Sequence, residues 1–343
     1  MVYLDNAATT VCKFPASAYD DIWGNANTPY KFGLNARQAA DECRERVKKC
    51  LGVKGGKVIF CGNASEAAKI LCDRLHTTDF YTFCSPYEHD SVYDFVDLHG
   101  YQFVHHNDCT AIFQQWVNPV TGVIFDICSI RQALGNDCFL CMDATAGIGK
   151  RILTQSIVSS VDAIWFSGHK IHGPKTGGIL WVSDRLSKAL YLSDDSRNEY
   201  GLKHGTLDVP SFIATTYALD EAVTQEIDNV AHYAELNNYL SIRAGNKIVI
   251  SNPYTQGQID ATVLIDTGCN ADVLVQYLST KGIYVGLAHS ACSADADYRV
   301  TQAFGISKET AEQCIRVSFS EDNTFKDIDA LVNGIKEFKE KFV

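Results

Sequence analysis

Two hydrophobic periods alternate along the chain. Short apolar runs at 58–61, 80–84, 101–104, 111–113, 139–142, 161–166 and 179–182 have the length and composition of strands. Segments at 64–75, 90–98 and 126–134, apolar at helical spacing, separate several of them. Strands alternating with helices predict an α/β fold with a mostly parallel, seven-stranded sheet covered on both faces. Ligands of such sheets bind beyond the carboxyl ends of the strands. Before this region lie a short extended arm, 2–10, and a predicted helix, 34–51, free of Pro and Gly. After it come a polar, irregular stretch at 193–201 and one long helical pattern, 210–243. A smaller α+β region follows, with strands at 247–250, 261–265, 283–285 and 314–319 and helices at 271–280 and 325–342. The expected organisation is a large domain, 1–235, that includes the arm, and a small domain, 236–343.

Composition narrows the possibilities. A chain of 343 residues, 46% hydrophobic and 21% charged, holds one large domain and a smaller one. The formal charge of −11 argues against nucleic acid as the partner. No apolar run approaches the ~20 residues that span a bilayer, so no membrane association is expected. The N-terminus, Met1-Val2-Tyr3-Leu4-Asp5-Asn6, lacks a basic stretch followed by an apolar one and does not read as a secretory signal. Thirteen cysteines, an odd number, fit free thiols in a reducing compartment, and the cytoplasm is the expected location. Cys138 and Cys141 have CxxC spacing but fall in a predicted strand, and with no second pair no metal is expected.

The candidate chemistry gathers at the ends of the predicted strands. Lys170 lies between two apolar strands in Ser167-Gly168-His169-Lys170-Ile171-His172-Gly173-Pro174-Lys175. Lysine's pKa falls readily on partial burial, which suits it to Schiff-base chemistry. Lys175 lies close behind, and the local pattern equally accommodates a hairpin loop with a surface lysine. In Gly62-Asn63-Ala64-Ser65-Glu66, between a strand and a helix, the N–H groups around Ala64 and the Ser65 hydroxyl suit an anion. The same pattern is also that of a plain N-cap. Asp143 ends a strand, and His89 stands alone at another strand end, where histidine is commonly structural. Cys292 sits among small and polar residues, Ser290 to Asp297, in a predicted loop that leaves its thiol accessible. Arg316 interrupts an apolar strand, either in a salt bridge or as a bidentate clamp for a carboxylate.

The lysine segment resembles that of class V pyridoxal-phosphate (PLP) enzymes, in particular the cysteine desulfurases, and further matches run in order from Tyr3 to Ser320. The resemblance implies the type I PLP-dependent transferase fold, with Lys170 carrying the cofactor. It assigns Ala64 and Ser65 to a phosphate loop, Ser65 standing for the family's threonine, with Ser167 and His169 as further phosphate contacts. Asp143 would hold the pyridine nitrogen, while His89 would stack on the ring and help move protons. Asn118 lies near the family's cofactor-contacting asparagine, although aligning on Gly122 puts Pro119 there. Thr206, in His204-Gly205-Thr206, would reach the neighbouring subunit's phosphate, which implies a homodimer. Arg316 would bind the substrate carboxylate, and Asn6 belongs to the opening segment that borders the active site. Cys292 matches the cysteine that takes the sulfur.

The implied reaction turns L-cysteine into L-alanine, with the sulfur leaving as a Cys292 persulfide for an acceptor protein, as in iron–sulfur cluster assembly. The departures are Tyr30 in place of a histidine, a slightly short segment from Ser290 to Gly305, and Ala146 where the family has a glutamine on the cofactor's phenolic oxygen. The alternatives are a selenocysteine or C–S lyase, an aminotransferase, or a non-catalytic scaffold. A scaffold needs none of Lys170, Asp143, His89 and Arg316.

Overall fold

A computed structural model describes residues 1–15, 22–78, 80–98, 111–194, 197–203, 205–245, 247–250, 255–289 and 298–342. Its strands are β1 (Val2–Leu4), β2 (Lys57–Cys61), β3 (Thr82–Cys84), β4 (Ala111–Gln115), β5 (Val123–Phe125) and β6 (Phe139–Asp143). They continue with β7 (Ala163–Ser167), β8 (Gly178–Val182), β9 (Thr255–Gln258), β10 (Thr262–Asp266), β11 (Ile283–Leu287) and β12 (Cys314–Ser318). Two compact units result. One is Val11–Trp116 with Ile127–Thr224, and the other is Met1–Thr10, Val117–Asp126 and Gln225–Val343.

The first unit holds a six-stranded sheet in the order β2-β8-β7-β6-β4-β3. The pairs from β3 through β4 and β6 to β7 are parallel, and β8 runs antiparallel to both β7 and β2. The strand expected at 101–104 lies outside the described residues. Both faces of the sheet are covered, which is why its strands are apolar at successive positions. On β2, Ile59 and Cys61 enter a core with Leu71, Leu75, Phe113, Trp165 and Leu180. Phe60, between them, points the other way and stacks on Phe212 with ring centroids 4.2 Å apart. Each such side chain, fully buried, contributes about 1.5–3 kcal/mol.

The second unit is built on a four-stranded sheet, β1-β11-β12-β10, with β12 in its interior. The N-terminal arm supplies β1, parallel to β11, and β5 pairs antiparallel with β9. These pairings tie residues 1–10 and 117–126 to the C-terminal part, where the sequence pattern suggested a single boundary near 235. The long helical pattern is two helices, Val209–Thr224 and Glu226–Ala244, separated by Gln225. The division of the chain falls at that break.

Candidate active site

Strand register places the first unit's candidates at one end of its sheet. Cys61, Gly178 and Ser167 are side by side across β2, β8 and β7, as are Gln115, Asp143 and Trp165 across β4, β6 and β7. The helix Ala64–Thr77 starts just after β2, His89 follows β3, Asp143 closes β6, and Lys170 follows β7.

The helix start is shaped for an anion. Asn63 caps it by accepting the Glu66 N–H at 2.8 Å, and Ser167 Oγ accepts the Ala64 N–H at 2.7 Å. A Cβ on Gly178 would lie 2.6 Å from the Asn63 carbonyl carbon, so only glycine lets β8 begin this close. Among the described residues, neither the N–H nor the hydroxyl of half-buried Ser65 has a hydrogen-bond partner. Glu66, which would repel an anion, is occupied by the Gly62 N–H and by Lys203 at 3.1 Å. The first turn is therefore a cradle with unused donors.

Asp143 is buried, and its Oδ1 accepts the Thr145 N–H at 2.8 Å. Burial raises its pKa, and the hydrogen bonding from Thr145 and the positive fields of His89 and Lys170 only partly oppose that. No ion-pair partner is within 4.0 Å of it among the described residues. Its environment suits a carboxylate that meets a cationic N–H from a ligand.

At His89, Nδ1 accepts the Ser91 N–H at 3.2 Å and lies 2.9 Å from Ser91 Oγ. The neutral ring therefore carries its proton on Nε2. The His89 carbonyl opens the helix Asp90–Leu98 by accepting from Val92 and Tyr93. This fixes the ring's backbone.

The loop from β7 to β8 presents the lysine. Gly168–Lys170 forms a 3₁₀ turn, closed by N–H bonds from Ile171 and Gly173 to the Gly168 carbonyl, each 2.9 Å. His172 follows with a left-handed φ of 65°, uncommon for a side chain of its size. Its Nδ1 lies 2.8 Å from the Val11 carbonyl. Lys170 is half-buried and Lys175 exposed, a difference that local sequence did not reveal. Burial first, and then the charges of Lys170, Lys175 and Lys150, depress the His169 pKa to about 4. His169 is thus neutral at neutral pH and can offer hydrogen bonds without a charge.

The second unit carries the arginine. Arg316 lies on interior strand β12, 1% exposed, and donates from Nη2 to Asp5 Oδ1 at 2.8 Å and from Nη1 to the Pro119 carbonyl at 3.4 Å. Its Nε is buried, without a hydrogen-bond partner among the described residues. Asn6 is spent on structure: its amide donates to the Ser318 carbonyl at 3.1 Å and to Asn323 Oδ1 at 3.4 Å. Asn118 Oδ1 accepts the N–H groups of Val120 and Thr121 and the Thr121 hydroxyl at 2.9–3.0 Å, which holds the turn before β5. Thr206 is exposed, whereas His204 and Cys292 lie outside the described residues. Sequence reasoning missed Asp5 as the counterion of Arg316. The only hint was an acidic residue in the arm, and its partner is set by the bridge between Asp5 and Ser318.

One end of this mostly parallel sheet thus holds a half-buried lysine, an anion cradle and a buried acid without an ion-pair partner among the described residues. Residues 93–331 match the class-V aminotransferase family, to which the chain belongs. It is 26% identical over 371 residues to the cysteine desulfurase IscS of Buchnera aphidicola subsp. Schizaphis graminum, covering 97% of this chain and 91% of that one. It is likewise 26% identical over 382 residues to the putative cysteine desulfurase NifS of Bacillus subtilis, covering 97% and 93%. The fold is shared with a NifS-like protein from Rickettsia africae, at a TM-score of 0.83, 19% identity and 99% coverage of both chains. The family's cofactor is PLP, and the residues present fit it. The cradle has free donors for a phosphate, and buried Asp143 lacks the cation that a protonated ring nitrogen provides.

Proposed function

We propose that the protein is a homodimeric, PLP-dependent cysteine desulfurase that converts L-cysteine to L-alanine and passes the sulfur to Cys292 as a persulfide for an acceptor protein. The observation that carries this reading is buried Asp143, without an ion-pair partner among the described residues, at the same sheet end as half-buried Lys170 and the Ser65 cradle. Likeness to IscS and NifS supplies the substrate class.

Lys170 would hold PLP covalently, the first turn of Ala64–Thr77 with Ser65 and Ser167 would bind its phosphate, and Asp143 would face its ring nitrogen. PLP, when bound, supplies an electron sink for the pair released at the substrate's Cα. Asp143 would keep the proton on the ring nitrogen, and that charge pair would relieve its own burial cost. Lys170 would also move a proton at the substrate's Cα. His89, with its proton on Nε2, would cover the ring, and neutral His169 would hydrogen-bond to the phosphate. Arg316 takes the substrate carboxylate. The Cys292 thiolate would attack the substrate sulfur, the C–S bond would break with its electron pair and a proton going to carbon, and alanine and Cys292–S–SH would result.

Two observations support the dimer. Trp23, Tyr30, Phe32 and Leu34 are exposed at 68%, 55%, 44% and 49%, with the Trp23 and Phe32 rings 5.0 Å apart, a patch suited to a second copy. Thr206 is exposed and available to reach a neighbour. Thirteen cysteines support a reducing, cytoplasmic location. No described helix is long and apolar enough to cross a membrane.

Half-buried Ala146, which has no side-chain amide where the family has glutamine, favours a second reading as a selenocysteine or C–S lyase. The two are separated by Cys292→Ala in the PLP-loaded protein. The desulfurase reading expects L-cysteine still to bind, with a change in visible absorbance, while alanine formation falls by orders of magnitude and no persulfide accumulates. Turnover of cysteine at the wild-type rate would leave the lyase in its place.

A further inference from the structure

We infer that Asp5 is a positioning residue for substrate recognition, orienting Arg316 so that the guanidinium's remaining N–H groups meet the carboxylate of the incoming amino acid. The inference rests on the proposed role of Arg316 and extends it. Arg316 has five N–H donors and four side-chain torsions, so a buried arginine holds one pose only if its surroundings impose it. Three features do so. The Asp5 carboxylate takes one N–H of Nη2 at 2.8 Å. The Pro119 carbonyl lies 3.4 Å from Nη1. Gly286, the Cα partner of Arg316 across β11 and β12, leaves room for the guanidinium, because a Cβ there would lie 2.7 Å from Nη2 and 2.9 Å from Nε.

Asp5 itself is held by the backbone around it. Its carbonyl accepts N–H bonds from Ala8 and Thr9 at 3.0 and 3.4 Å and a hydroxyl bond from Tyr3 at 3.1 Å. The next two residues are fastened to β12 through the Asn6 N–H to the Ser318 carbonyl and the Ala7 N–H to Ser318 Oγ. A carboxylate on so fixed a backbone is a rigid counterion. Among the described residues, it binds Arg316 through one oxygen and leaves the buried Nε without a partner. A desolvated guanidinium with unspent donors has a place for a second carboxylate and no comparable use for a neutral group. Asp5 thereby contributes to the preference for an α-amino acid over an amine that lacks the carboxylate.

The test uses the full-length, PLP-loaded protein and two ligands, L-cysteine and cysteamine, which has the same thiol and amine but no carboxylate. Asp5→Asn is expected to raise KM for L-cysteine by about tenfold, or ~1.4 kcal/mol, with kcat within about threefold. The visible absorbance titration with cysteamine should not change. Asp5→Glu serves as a second variant should Asp5→Asn not fold, and it is expected to raise KM too, since the fixed backbone carries the longer carboxylate past Nη2. Should Arg316→Lys raise KM while neither Asp5 variant does, the inference is overturned and the role of Arg316 stands. Should Arg316→Lys leave L-cysteine binding unchanged, the carboxylate role of Arg316 itself is wrong. Equal weakening of cysteamine and cysteine by Asp5→Asn would show general damage and overturn the inference as well.

Discussion

The two units each bury a charge and treat it in opposite ways. In the sheet of six strands, Asp143 is buried, and Thr145 hydrogen bonding with the fields of His89 and Lys170 does not offset its desolvation, so its pKa is raised. In the sheet of four strands, Arg316 is buried with its own anion, Asp5, at 2.8 Å. The first charge costs stability until a ligand supplies the opposite charge. The second is part of what holds its unit together, because removing one member of a buried pair leaves the other uncompensated. The site proposed for a cationic ring and the site proposed for an anion thus differ in how much of the neutralisation the chain performs itself.

Making the same change on both sides tests this contrast. The largest effect is expected on activity: Asp143→Asn should lower alanine formation from L-cysteine by about 10²–10³-fold, the usual cost of one preorganised electrostatic partner. The cofactor-free variant should nevertheless melt no lower than wild type, since it loses a buried charge. A clear fall in its melting temperature would break the comparison. Asp5→Asn should do the reverse in denaturant unfolding and cost about 3–5 kcal/mol, as for an orphaned buried cation. A loss below ~1 kcal/mol would show that the pair behaves like an exposed one.

Gly178→Ala should cost about 1–3 kcal/mol through the clash with the Asn63 backbone. It should also weaken PLP retention on dialysis, and unchanged retention would mean that the cradle is not formed by this close approach.

The smallest effects are on pH dependence. His169 has a folded pKa of about 4, below its ordinary 6.5, so the unfolded chain binds more protons between those values. Its contribution to stability is present above about pH 6.5 and is lost as pH falls toward 4. His169→Gln should flatten that part of the acid-unfolding profile. For Asp143 the sign is opposite. Its raised pKa means that the folded protein binds the extra proton, so the penalty is absent in acid and grows as pH rises. The advantage of Asp143→Asn in the cofactor-free protein should be greater near neutral pH than near pH 4, and an equal advantage at both would show that charge is not its source.

Much of this was legible in one dimension. The alternation of apolar runs and amphipathic segments sets the parallel sheet, because a strand covered on both faces must be apolar throughout. The polar residues that follow such strands, Ser65, His89, Asp143 and Lys170, fall at the sheet end where the structure has them. The break at Gln225 was not legible, since helical periodicity runs through it and neither Pro nor Gly marks it.

By itself the sequence determined which residues have chemistry to offer, since side-chain type and its place after a strand are local properties. Only the tertiary structure decided how each charge is compensated. Lys170 and Lys175 are alike in sequence, but burial distinguishes them. Arg316 read equally well as a salt bridge or a carboxylate clamp, and the register that brings Asp5 beside Ser318 gives it a salt bridge with donors to spare. Desolvation and charge pairing depend on what the rest of the chain brings close, and residues 5 and 316 meet only through the pairing of strands distant in sequence.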